Sequence, residues 1–296
     1  MKAAVLGANG YLGKHLALHL LNNSWQVRGY GRTAPADLPQ LSFTQLDVRD
    51  RDAFGNFDTD VDFVFYFSGN TGAFAYDNYN EFIDVNEKGI LHLLDALRRS
   101  GSAARVIFPS TRLVYKGIAG VALKEDAQKE FKSIYALNKW FGEQVLEQYA
   151  NLFNRPFTIF RICVPYGNLF SGSYSYGTIG FFMKKARASE AISLYGNGGQ
   201  KRTFSHVEDI CSQLYDAALN PASVNEIFNI GGETFSLAEA ANLVAGRFGT
   251  TVTFAAWPET EKKMESGDTI FDAGKLQALT GFTLKHDFRT WLKTVN

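Results

Sequence analysis

The chain is poor in cysteine and proline, has no surplus of either charge, and lacks any long apolar run. Its two cysteines, Cys163 and Cys211, are too few and too far apart for a disulfide scaffold or a thiolate-held metal cluster. They read as small apolar residues in a reducing, cytoplasmic setting. Thirty lysines and arginines balance thirty aspartates and glutamates, so no global field attracts nucleic acid or a membrane surface. No apolar stretch approaches the ~20 residues that span a bilayer. Met1-Lys2 leads directly into Ala3-Ala4-Val5-Leu6 without a small-residue cleavage site, so no signal peptide is expected. The five histidines have no ligand spacing, and no metal is expected. What is present, 46% hydrophobic and 20% charged residues over 296 positions, suits one large domain or a large one with a smaller partner.

Over the first two-thirds, short β-branched or aromatic runs alternate with helical patterns. Strands are predicted at Lys2–Leu6, Gln26–Tyr30, Phe43–Leu46, Phe63–Phe67, Arg105–Pro109 and Phe157–Ile162. Between them Leu12, Leu16 and Leu20 recur every fourth residue, and Ile90, Leu93, Leu94 and Leu97 form a one-sided helical stripe. This βαβ order with nearly continuous apolar strands predicts an α/β fold, a doubly wound parallel sheet covered on both faces. From Gly167 the pattern changes. Glycine, serine and tyrosine crowd Gly167–Gly180, helices are expected at Ile179–Ala188 and Ser236–Phe248, and strands become isolated. A dinucleotide-binding domain over residues 1–166 and a smaller substrate lobe over 167–296 are expected, with the chain crossing back around 202–230.

Directly after the first strand comes Gly7-Ala8-Asn9-Gly10-Tyr11-Leu12-Gly13, which opens the Leu12/Leu16/Leu20 helix. Glycines there let the backbone turn tightly and approach a pyrophosphate at the positive end of the helix. The GxxGxxG spacing resembles the extended short-chain dehydrogenase/reductase superfamily, whose epimerase/dehydratase members modify sugar nucleotides. The resemblance continues in order along the chain. Asp47-Val48 resembles the family's adenine-contacting pair, and Ser68-Gly69 follows Phe67 where small residues pass the cofactor. Asn86 is placed at the start of a helix Asn86–Arg98. Ser110-Thr111-Arg112-Leu113-Val114-Tyr115 is similar to the "SSxxVYG" active-site strand, and Tyr135-Ala136-Leu137-Asn138-Lys139 to YxxxK. Gly196–Asp209, containing Arg202 and His206, is similar to the family's "GdGxqxRdfxhVxD" segment, and Phe228-Asn229-Ile230-Gly231 to "yNiG". The resemblance implies a Rossmann fold, a nucleotide-sugar substrate, a role in carbohydrate biosynthesis and a homodimer. It implies cofactor contacts from Gly7, Asn9, Gly10, Tyr11, Leu12, Gly13, Arg32, Asp47, Val48, Phe67, Ser68, Gly69, Tyr135, Lys139 and Ile162. The dimer is expected through the helices Asn86–Arg98 and Tyr135–Ala150, where Ile90, Leu94, Leu97, Trp140, Phe141, Leu146 and Tyr149 exceed what one sheet face can cover.

The chemistry expected is proton transfer at a hydroxyl or carbonyl while hydride moves to or from nicotinamide. A phenol titrating near 10 is a poor base at neutral pH, but Lys139 projects from the same helix face as Tyr135, and its ammonium favours the phenolate. Thr111 supplies a hydroxyl to hold the reacting oxygen. His206 is read as structural. The stretch Val27–Thr33 has Arg32 and no acid, which favours NADP(H), with NAD(H) the alternative. Arg112-Leu113 lacks the dehydratases' Asp-Glu pair, and Leu113 lacks the cysteine of bifunctional epimerase-reductases. Val164 stands where relatives have a diphosphate-binding asparagine, leaving Arg202 as the cation for a substrate pyrophosphate. Reduction of a 4-keto sugar nucleotide is therefore expected. The alternatives are a nucleotide-sugar 4-epimerase with bound NAD, a reductase of small non-sugar carbonyls, and a catalytically silent NADP-binding regulator.

Overall fold

A strand buried on both faces needs cover on both sides, and Lys2–Leu6 is buried at every position after the first. The computed structural model of the chain describes residues 1–71, 79–171 and 176–295. In chain order the elements are β1 (Lys2–Leu6), α1 (Tyr11–Asn22), β2 (Gln26–Gly31), β3 (Ser42–Gln45), β4 (Phe63–Tyr66), α2 (Tyr79–Phe82), α3 (Gly89–Ser100) and β5 (Arg105–Thr111). There follow β6 (Ala122–Leu123), α4 (Ile134–Phe153), β7 (Phe157–Ile162), β8 (Val164–Tyr166), α5 (Gly177–Arg187), β9 (Ile192–Tyr195), β10 (Lys201–His206) and α6 (Val207–Leu219). The last are β11 (Glu226–Asn229), β12 (Glu233–Ser236), α7 (Leu237–Phe248), β13 (Val252–Ala255), α8 (Glu259–Met264), β14 (Ile270–Phe271), α9 (Gly274–Thr280) and α10 (Phe288–Thr294).

The chain divides into two compact units. The first comprises Met1–Val114, Ser133–Arg161 and Leu214–Phe228. It is built on a seven-stranded sheet in the order β11-β7-β5-β4-β1-β2-β3, with the pairs β1–β2, β1–β4, β2–β3 and β4–β5 parallel. The order reverses beside β1, which places the loop after β1 at the topological switch point where α/β sheets take their ligands. Its core joins Leu6, Tyr66 and Phe108 of the strands to Ile90, Leu93, Leu94 and Leu97 of α3. The second unit comprises Tyr115–Lys132, Ile162–Gln213 and Asn229–Asn296. It holds a three-stranded sheet, β12-β10-β8, and the parallel pairs β9–β13 and β6–β14. Ser236 caps α7 through a reciprocal box with Glu239.

Two expectations change and a third becomes specific. The division is interleaved: Leu214–Phe228, inside the expected return around 202–230, belongs to the first unit, and Tyr115–Lys132 to the second. Asn86 does not start a helix. It lies in a π turn, Ile83–Lys88, inside a helical run described from Tyr79 to Ser100. Ile90, Leu94, Leu97 and Leu146 are not surplus surface, because the subunit's own core covers them. The exposed apolar residues of α4 are instead Ile134, Leu137, Leu152 and Phe153.

Candidate active site

The loop after β1 is pinned by its own backbone. The amides of Gly7 and Ala8 donate to the Tyr30 carbonyl at 2.8 and 3.1 Å, and the Gly10 amide donates to the Gly7 carbonyl at 2.8 Å. Gly7 has φ +78°, and a Cβ there would lie 2.6 Å from the Phe67 carbonyl carbon, so only glycine lets the two strand ends approach this closely. Gly10 occupies the N-cap of α1 and brings no side-chain bond to the first-turn amides, which leaves donors of the kind that receive phosphate oxygens.

Beside this loop is a cavity of about 560 Å³. Of the residues expected to bind cofactor, Gly7, Asn9, Gly10, Arg32, Asp47, Val48, Phe67, Ser68 and Gly69 line it. Tyr11, Leu12, Gly13, Tyr135, Lys139 and Ile162 are not among its lining residues. Gly13 lies so close to the Gly7 carbonyl that no Cβ would fit, so its role is to seat α1 against the loop. Gly31, Thr33, Leu46, Arg49, Asn70, Thr71, Glu81 and Val85 complete the lining.

Two of these additions have a structural reason. Arg49 grips the Asp47 carboxylate, with Nε 3.0 Å from both oxygens and Nη2 2.5 Å from Oδ2. That bond holds the Asp47 carboxyl below its ordinary range, with Arg32 adding a smaller pull in the same direction. Asn70 is held by the π turn. The Asn86 side chain accepts from the Asn70 amide at 2.8 Å and donates to the Asn70 carbonyl at 3.0 Å. Asn86 in turn donates to Asn138 of α4 at 3.3 Å, and Asn138 to Glu87 at 2.6 Å. A π turn widens a helix locally and so aims a side chain sideways, here at the cavity wall.

The three expected catalytic residues come from β5 and α4. Thr111 ends β5, is 8% exposed, and its Oγ1 accepts from the Leu113 amide at 3.3 Å. Ser133 caps α4 by accepting from the Ala136 amide at 3.2 Å, which fixes Tyr135 in the first turn. Lys139, one turn on, is 6% exposed. Its Nζ donates to the Pro109 carbonyl at 2.8 Å and stands 4.5 Å above the Phe108 ring. A Cβ on the cavity-lining Gly69 would lie 3.9 Å from that Nζ. Burial pushes the Lys139 ammonium down to about 8, opposed by the charge of Glu143.

Glu143 was not anticipated. It lies a further turn along α4, is fully buried, and is held by Arg161 of β7, with Nε 3.0 Å from Oε1 and Nη2 2.6 Å from Oε2. The Ser110 hydroxyl also donates to it. Spacing puts Glu143 on the same helix face as Tyr135 and Lys139, and Arg161 stands in a mostly apolar strand run, but nothing local in the sequence shows that the two meet. Arg202, expected to face a substrate pyrophosphate, has partners of its own. It is 1% exposed, donates to the carbonyls of Lys201 and Gly267, and forms a 2.5 Å ion pair with Glu265. Its charge is compensated within its own unit by Glu265.

Known proteins resemble this chain in sequence and in fold. A model of the NAD dependent epimerase/dehydratase family matches residues 3–231. The chain is 26% identical over 299 residues to CDP-paratose 2-epimerase of Salmonella typhi, covering 88% of each. It is 26% identical over 267 residues to dTDP-4-dehydro-6-deoxy-D-allose reductase of Streptomyces bikiniensis, covering 83% of this chain and 80% of that one. Among solved structures, the UDP-glucose 4-epimerase of Thermus thermophilus in complex with NAD superposes with a TM-score of 0.87 at 22% identity, over 99% of this chain and 97% of that one. No helix among the described residues is long and apolar enough to cross a membrane.

Proposed function

The chain belongs to the NAD-dependent epimerase/dehydratase family of enzymes, and on that premise we propose that it reduces a 4-keto sugar nucleotide with NADPH. The observation that carries the reading is Lys139, a buried ammonium fixed between the Pro109 carbonyl and the Gly69 edge of the cavity, one turn from Tyr135. In this account Tyr135 protonates the ketone oxygen, Lys139 sets its acidity, and Thr111 aligns the substrate. The bound dinucleotide would supply the hydride. Gly7, Gly10 and Asn9 would face its phosphates, and Asp47 and Val48 its adenine.

Preference for the 2′-phosphorylated form is supported by Arg32, which is exposed directly after β2 and lines the cavity, in a stretch Val27–Thr33 that carries no acid. The nearby Asp47 carboxylate is already compensated by Arg49. A second reading, a 4-epimerase that retains NAD, is favoured by the NAD-bound epimerase with which the chain superposes. We also infer a twofold homodimer through the exposed apolar residues of α4.

The two readings separate in one incubation. With a panel of nucleotide sugars and their 4-keto forms, a reductase consumes NADPH stoichiometrically with the ketones, whereas an epimerase interconverts the C4 alcohols with no net consumption. Arg32→Ala should weaken NADPH binding by about 1.5–3 kcal/mol and leave NADH unchanged, the loss of one charge-assisted contact. Equal affinities for the two dinucleotides in the parent protein would overturn the cofactor assignment.

A further inference from the structure

The end of β5 is held on α4 at two points. Lys139 Nζ donates to the Pro109 carbonyl at 2.8 Å, and the hydroxyl of the next residue, Ser110, donates to Glu143 Oε1 one turn further along the helix. Beside them the Gly142 backbone rests on the Phe108 ring, where a Cβ would fall 2.6 Å from Cζ. All of these residues belong to the first unit.

The strand needs such a hold. β5 pairs with β4 up to Phe65 and Ile107, and β4 ends at Tyr66, level with Phe108. Pro109, Ser110 and Thr111 therefore run past β4 on that side, and Pro109 has no amide to donate. One bond to a helix leaves the helix free to pivot about it. Two bonds to residues four apart, about 6 Å along the helix axis, remove that freedom. The second of them is anchored in turn. Glu143 is fully buried, and Arg161 of β7 holds its two oxygens at 3.0 and 2.6 Å. These bonds compensate the carboxylate without Ser110. The Ser110 hydroxyl, in a residue 4% exposed, thus adds position rather than charge balance.

The two elements so joined each carry part of the chemistry. Tyr135 lies on α4 one turn before Lys139, and Thr111 directly follows Ser110 on β5. We propose, on the reading of Tyr135 as proton donor and Thr111 as the group that aligns the substrate, that Ser110 is a positioning residue for this reaction. Through Glu143 it fixes the Thr111 end of β5 on the helix that carries Tyr135.

Ser110→Ala removes the tie and leaves both Arg161 bonds to Glu143, so the full-length chain should fold with a Tm close to the parent's. Turnover of the 4-keto nucleotide sugar that the parent reduces, followed by NADPH absorbance, should fall about 10–100-fold, as for a misplacement of about 1 Å. KM and NADPH affinity should stay parental, because the alignment lost is one that tells in the transition state. In a Thr111→Val background the same change should cost little more, since the group it positions is already gone. Tyr135→Phe is measured alongside. Parental turnover in that variant refutes the proton-transfer reading itself. Turnover lost in Tyr135→Phe but kept in Ser110→Ala overturns the role of Ser110 alone. A loss of equal size with and without the Thr111 hydroxyl overturns it too, as does a Ser110→Ala chain that no longer folds, which would assign the bond to stability.

Discussion

At the scale of single residues, the account depends on one amine. Lys139 sits in apolar surroundings that hold its ammonium down to about 8. Its positive charge is therefore largely present at neutral pH and lost as pH rises through about 8. A lysine raised by a partner would keep its charge to higher pH. Reduction requires Tyr135 to hold a proton and Lys139 to hold its charge, so the rate should fall above pH ~8. Lys139→Arg, whose charge does not titrate in this range, should remove that limb while lowering the rate by displacing the planar head group. Tyr135→Phe keeps the ring and loses the transferable proton, so turnover should drop about 10²–10⁴-fold with NADPH binding little changed. A rate that stays level through pH 8–10 (roughly the Lys139 and phenol range) would contradict this role for Lys139. The placement of Tyr135 and Lys139 one turn apart on α4 was legible because that spacing is local, and a family resemblance pointed to Thr111 at the end of β5. Glu143 and Arg161 were not. A buried ion pair is fixed by which strand lies under which helix, and no local pattern encodes that.

At the scale of elements, the pair between α4 and β7 is the sharpest test of how the catalytic helix is seated. Glu143 and Arg161 are both about fully buried, and removing one partner leaves an uncompensated charge inside the sheet layer. Glu143→Ala should therefore cost about 3–5 kcal/mol, read as a lower urea midpoint. A midpoint unchanged from the parent would mean that the pair is hydrated and does not anchor α4. The same scale explains which elements could be read. The six predicted strands match β1 to β5 and β7 within two residues at either end, and β1, β4, β5 and β7 are the ones buried along almost their whole length. The strands of the second unit escaped, since β9 alternates and β13 is largely exposed, and β6 and β14 have two residues each. The π turn escaped for another reason. One extra residue per turn shifts the helical stripe too little to register over six residues.

For the molecule as a whole, Ile90, Leu94 and Leu97 of α3, expected at a twofold interface, lie in the core instead. The remaining apolar surface on α4 includes Leu137 at 48% and Leu152 at 68% exposure. Burying such residues against a twofold mate is the isologous solution. Sedimentation should give a dimer at micromolar concentration, and Leu137→Glu should shift it to monomer. A monomeric parent would remove this inference without touching the chemistry. The interleaving of the two units was foreseeable only as a return of the chain somewhere in 202–230, because Leu214–Phe228 joins a sheet whose other strands end before residue 163. The chemistry itself is tested most directly by following the hydride. With NADPH carrying deuterium at the transferable position of the nicotinamide, the product sugar should contain one deuterium at the carbon that bore the ketone, in amount equal to the cofactor oxidised. A product of altered stereochemistry formed without net oxidation or exogenous label would contradict the reductase and identify hydride return within one bound dinucleotide.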